Sequence, residues 1–195
     1  MLIKMKNIYL IFLTLIVPIY GSCQTTISLE QYATYRCEDC EPPEDLIYVK
    51  DLNNTLEKYT GKWIGNDGVT QVIYDIRKYL NVDNDGFKHD GLIVRYELRD
   101  LNTNQITLST IGLPDNNINV IKGAYFINDI YYANYMGFDY CGQYGYLLLS
   151  YSYNLITGNQ FTIRTLLNGD IYFPSECPNG RMPSPIPSDV PLTKL

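Results

Sequence analysis

The chain has 195 residues, 46% apolar and 18% charged, and a formal net charge of −6. That length fits one domain with tails, and the apolar content is too high for a disordered chain and too scattered for a polytopic membrane protein. His89 is the only histidine, which excludes any site needing two from one chain, and the acidic balance argues against a nucleic-acid partner.

Residues 1–23 read as a secretory signal. Lys4 and Lys6 precede an apolar run from Ile8 to Ile19, closed by Gly21 and Ser22. The run is too short and wrongly flanked to remain as a membrane span. Two cuts fit: Ile19-Tyr20-Gly21-Ser22-Cys23 resembles a bacterial lipobox that would leave an acylated Cys23 as first residue, and an ordinary signal-peptidase cut would leave Gln24. Either way the chain is expected to be exported: secreted, periplasmic, or anchored to the outer membrane by a lipid on Cys23, the one membrane tie implied. Removing the leader takes two lysines and no acid, which carries the net charge from −6 to −8. Four cysteines remain, Cys37, Cys40, Cys141 and Cys177, an even set expected to form disulfides in an oxidising compartment.

Residues 24–50 form an acidic lead-in, expected to be extended and broken by Pro42-Pro43. Leu52, Leu56 and Tyr59 then recur at i, i+4 and i+7 ahead of Gly61, which predicts one short helix. From Lys62 the pattern switches to period two. Val72, Tyr74 and Ile76 share one face, and Leu92, Val94, Tyr96 and Leu98 oppose Arg95, Glu97 and Arg99. Further strands are expected at 105–111, 119–126, 129–136, 144–153, 160–167 and 170–173, separated by turn clusters such as Thr157-Gly158-Asn159. With the segment around Trp63 this predicts an all-β domain over 51–173, an antiparallel meander of about eight or nine strands closed as a barrel or stacked as a sandwich. No long helical pattern separates the strands, which excludes a parallel βαβ design. Residues 174–195 carry six of the ten prolines. They are expected to pack on or close the sheet, with Val190-Pro191-Leu192-Thr193 along an edge.

The run Tyr59-Thr60-Gly61-Lys62-Trp63-Ile64-Gly65 resembles the Gly-x-Trp opening of lipocalins and related calycins. The resemblance implies an up-and-down barrel whose open end takes small, often apolar molecules. It also implies structural roles for Gly61 and Trp63, with Arg164 the nearest candidate for the late-barrel arginine that packs over the tryptophan in that family. The whole chain is also similar to a family of small exported bacterial proteins with a Tyr-x-Gly-x-Trp start, scattered cysteines and a final Leu-Thr-Lys, here Leu192-Thr193-Lys194. That similarity implies export and a small β domain, and no activity.

The remaining constellations have competing readings. Cys37-Glu38-Asp39-Cys40 has redox spacing, yet the surrounding acids disfavour a thiolate. One or two long-range bridges are expected instead, either Cys141 with Cys177 or the lead-in cysteines with those two. Asn81, Asp83 and Asp85, followed by Gly86, match the first half of a calcium loop, but the twelfth position is Leu92 where a bidentate glutamate belongs, so a solvated hairpin is the simpler reading. His89 sits in that polar stretch and reads as a surface residue. Asp75 and Glu97 share faces with Arg77, Arg95 and Arg99, which reads as a solvated exterior rather than a glycosidase pair. Nine tyrosines fall between Tyr125 and Tyr153. Tyr125, Tyr135, Tyr144 and Tyr146 are the candidates for a ligand-binding surface, against the simpler reading that tyrosine suits half-exposed strands.

The reading is an exported, non-enzymatic, lipocalin-like domain that binds a small apolar ligand or a sugar, without cofactor or metal. The alternative is a surface protein with a filled barrel that binds an envelope protein, and a hydrolase ranks last.

Overall fold

The computed structural model describes residues 24–37, 39–84, 86–137, 143–154, 158–167, 177 and 183–195. The expected signal 1–23 with Cys23, the strand at 170–173, Asp85 and Cys141 all lie outside these residues. The described strands are β1 (Thr25–Ser28), β2 (Leu46–Lys50), β3 (Gly61–Asn66), β4 (Thr70–Asn84), β5 (Phe87–Asp100), β6 (Ile106–Ser109), β7 (Ile121–Ile127), β8 (Ile130–Met136), β9 (Tyr144–Asn154), β10 (Gly158–Leu167) and β11 (Val190–Lys194). The α-helix among them is α1 (Leu29–Ala33).

Eight strands form the closed antiparallel barrel that the period-two pattern predicts. In chain order β3, β4, β5, β7, β8, β9, β10 and β11 each pair with the next, and β11 returns to β3 through Thr193 opposite Ile64 and Lys194 opposite Trp63. The strand expected at a sheet edge is thus inserted between β10 and β3. Pro191 is tolerated there because it lies opposite Thr162 of β10, ahead of the two residues that pair with β3.

β5 organises the rest. One side pairs with β4 along its length, and the other is divided among β2 at Lys88 and His89, β7 at Ile93 and Val94, and β6 from Glu97 to Arg99. The lead-in is therefore not simply extended: β1 and β2 add two parallel strands to the sheet, and α1, capped by Ser28 Oγ accepting from Gln31 N–H at 3.1 Å, packs against β7. The segment at 51–59, read as a helix, makes only a 3-10 turn over Glu57–Tyr59. Asn54 takes a positive φ of 53°, and the Asp51 carboxylate accepts from the Thr55 and Leu56 N–H groups instead of letting a helix begin earlier.

Alternation places the core inside the ring. Val72, Tyr74 and Ile76 of β4, Val94, Tyr96 and Leu98 of β5, Tyr131, Ala133 and Tyr135 of β8, and Phe161 and Ile163 of β10 are all buried. Complete burial of each large side chain contributes roughly 1.5–3 kcal/mol. At one end Tyr59 drops from the 3-10 turn into the ring, within 5.5–6.3 Å of Phe126, Tyr131, Tyr151 and Phe161. At the other, Gln143 donates to the Pro183 carbonyl at 3.0 Å and Ile186 is buried.

The outer side of β5 departs from the sequence pattern. Arg95, read as solvated, is 3% exposed, since its guanidinium donates twice to the Leu113 carbonyl, at 3.1 and 2.9 Å, and pairs with Asp115. The connection after β6 folds down over it.

Candidate functional site

The expectation of a ligand inside the barrel meets an axis occupied by side chains. Tyr59, Tyr74, Tyr96, Tyr131, Tyr135 and Phe161 are among the largest fully buried groups. Burial pushes the phenols of Tyr59, Tyr74 and Tyr96 far above their ordinary range. Tyr131 and Tyr79 lace the narrow β5–β7 seam from its two sides. Inside, Tyr131 Oη accepts from the Leu92 N–H at 3.0 Å, and only glycine fits at 123, where a Cβ would fall 1.9 Å from that oxygen. Outside, Tyr79 Oη donates to the Gly123 carbonyl at 3.0 Å.

Of the four tyrosines singled out by sequence, Tyr125 and Tyr146 meet in one ring cluster, and Tyr135 and Tyr144 line the groove beside it. Tyr135 is fully buried in the barrel, while Tyr125, Tyr144 and Tyr146 are half-buried. On the outer face, Tyr125 stacks on Tyr132 at 5.4 Å and 14°, and both meet Tyr146 edge-on at 6.3 and 5.8 Å. A bulge makes this cluster possible. Lys122 lies opposite Asn134 and Gly123 opposite Ala133, but the next pair is Tyr125 with Tyr132. The extra residue turns Tyr125 to the face that carries Lys122, although their spacing is odd. Strict alternation puts Tyr125 on the wrong side, and the sequence reading missed both Tyr132 and Arg36, whose Cζ lies 4.0 Å from the Tyr125 ring centroid. Only the packing of α1 on β7 reveals the second.

Beside this cluster runs a groove of about 440 Å³, lined by Asn116, Asn117, Ile118, Lys122, Asn134 and Tyr144 among others. Asn134 is the link, because it lies between Lys122 on β7 and Tyr146 on β9 in the register of the sheet. The surface therefore combines aromatic faces with amide donors and acceptors on a rigid three-strand floor.

A second groove, of about 640 Å³, lies near the β4–β5 hairpin and is lined in part by Ile47, Tyr48, Asn81, Asp83, Phe87 and Lys88. The stretch read as half a calcium loop is paired strand: Asp83 lies opposite Lys88, and Asn81 sits at a bulge with φ 59°. The ladder holds Asn81 and Asp83 at strand spacing, while Asp85 lies outside the described residues, among which no three His, Cys, Asp or Glu are grouped for a metal. Behind this groove Asp90 is buried and accepts from Tyr48 Oη at 2.6 Å and from the Asn81 and Asp51 N–H groups, both at 3.0 Å. Burial and this bond to a carboxylate push the Tyr48 phenol up to about 12.

His89, expected at the surface, is 8% exposed. Its Nε2 lies 2.8 Å from Tyr79 Oη. Tyr79 Oη also donates to the Gly123 carbonyl, and the direction of its bond with His89 follows the imidazole tautomer. Desolvation lowers its pKa below 6.5, while the carbonyls of Gly123 and Val82 and the Asp90 charge pull the other way.

The structural candidates divide similarly. Gly61 has φ 113°, and Trp63 Nε1 donates to the Tyr59 carbonyl at 2.8 Å at the plugged end. Arg164 does not cover Trp63. Its side chain is 61% exposed and bonds Asp189 at 2.7 Å, because position 164 faces outward on β10; Lys194 of β11 takes the place over the indole. Cys37 pairs with Cys40, Cα–Cα 5.2 Å, as an exposed local bridge in the lead-in. These two do not tie the lead-in to the C-terminal segment, as a long-range pairing would. Cys177 is buried and disulfide-bonded.

Compared with known proteins, the chain matches no family model, no curated sequence and no solved structure.

Proposed function

We propose that the chain is an exported binding module that takes a saccharide on the outer face of β7, β8 and β9. The observation that carries this reading is the cluster of Tyr125, Tyr132 and Tyr146 continuous through Asn134 with the groove of Asn116, Asn117 and Tyr144. A pyranose ring presents an apolar C–H face, which stacks on an aromatic ring, and hydroxyls at its rim, which exchange hydrogen bonds with amides. Both needs are met within one surface. The packed barrel behind it serves as a rigid support, and the basic and apolar pattern of residues 1–23 supports export.

The test is a glycan array followed by titration calorimetry on the mature chain. Tyr132→Ala and Tyr146→Ala should each weaken the bound glycan by about tenfold, the equivalent of one lost aromatic contact, with the far-ultraviolet circular dichroism unchanged. Absence of any glycan binding, or binding indifferent to both changes, sinks the reading.

A second reading, a filled-barrel protein that engages an envelope partner, is favoured by β1, which ends the sheet with one side unpaired among the described strands. Such an edge accepts a partner strand. Pull-down that is lost on Ile27→Pro and kept in Tyr132→Ala would favour it over the saccharide site.

A further inference from the structure

We propose that the outer tyrosine face selects acidic saccharides, with Arg36 receiving the carboxylate of a uronic-acid unit. The inference deepens the saccharide reading and rests on it.

Arg36 is exposed, and its guanidinium lies over the Tyr125 ring with Cζ 4.0 Å from the centroid. A guanidinium placed over a ring keeps its N–H donors in the plane of the group, aimed outward, where they match the two oxygens of a carboxylate. Among the described residues those donors have no hydrogen bond or ion pair, and the ring contact is what orients the group. Charge distribution points the same way. The chain carries 21 acidic residues against 15 basic, yet no residue that lines the groove or forms the tyrosine cluster is acidic. Lys122 adds a second cation on the same face of β7. Asp115, a carboxylate that feels Lys122, is paired with Arg95. Two cations on an aromatic surface whose described ring cluster and groove lining carry no carboxylate fit a ligand that brings both a sugar ring and a negative charge.

Titration calorimetry on the mature chain compares an oligogalacturonide with the same oligomer fully methyl-esterified, which keeps the rings and removes the charge. The acid should bind at least about tenfold tighter than the ester, and Arg36→Gln should abolish that preference while leaving ester affinity within about twofold. Equal affinity for acid and ester in the unsubstituted chain overturns the charge selection and leaves the saccharide reading standing. A preference that survives Arg36→Gln overturns the role of Arg36. No binding of either oligomer, when a neutral glycan binds on the array, also overturns the selection, and no binding of any glycan overturns both readings.

Discussion

The ammonium of Lys194 lies 5.3 Å from the centroid of the Trp63 ring, and its stem occupies the space over Gly61, where an added Cβ would come within 2.7 Å of Lys194 Cε. The glycine two residues before the tryptophan thus has a double cause. It takes a φ that side chains rarely adopt, and it leaves room for the last strand to lay a cation across the indole. Gly61→Ala should lower stability by about 1–3 kcal/mol from backbone strain alone, and Lys194→Met, which keeps the stem, by only about 0.5–1 kcal/mol. Urea midpoints of the two variants decide the order, and a Gly61→Ala protein with the parental midpoint would refute the account.

Two interior phenols should behave oppositely. Tyr131 Oη satisfies the buried Leu92 N–H, so Tyr131→Phe leaves that donor bare and costs about 1–3 kcal/mol. Tyr74 is 1% exposed and its hydroxyl has no partner among the described residues, so Tyr74→Phe removes an unpaid desolvation and is expected to be neutral or stabilising. Denaturant unfolding of both variants is the check; equal losses would mean that Tyr74 has a bound partner.

Stability should depend on pH through His89. Its folded pKa lies below the unfolded value of 6.5, so on acidification the unfolded chain takes up the proton first. The contribution is complete above pH 6.5 and is lost as pH falls below it toward the folded value. With one histidine in the chain, the unfolding free energy between pH 7.5 and about 5.5 should fall more steeply in the parent than in His89→Gln. Parallel curves would show that His89 titrates alike folded and unfolded.

The Cys37–Cys40 bridge closes a loop of sequence separation 3, for which the chain-entropy model gives about 2 kcal/mol at most. The bridge immediately follows Arg36, so the double change Cys37→Ser with Cys40→Ser should leave the barrel folded and weaken uronate binding while sparing the ester. Loss of the near-ultraviolet circular dichroism of the tyrosine-rich core would contradict a local role.

The barrel was legible because one buried face imposes alternation. Val72, Tyr74 and Ile76, or Val94, Tyr96 and Leu98, mark strands whatever their partners are. β11 was harder to place, since a five-residue strand containing a proline has too few alternations to show that it lies between two neighbours. The hairpin around Asn81 and Asp83 was obscured for a chemical reason: Asn, Asp and Gly serve ion loops and tight turns alike.

The amino-acid sequence by itself determined the strand-rich composition, the Gly-x-Trp corner and the concentration of tyrosine between 125 and 153. Tertiary structure alone decided which tyrosines meet. The bulge after Gly123 reverses the facing of Tyr125, the lead-in delivers Arg36 from nearly ninety positions upstream, and the barrel sends Tyr131 and Tyr135 inward while Tyr132 and Tyr146 face out. Periodicity reports only the face a residue shares with its own strand. Which strand lies beside it is set by closure of the ring, and that depends on the whole chain at once.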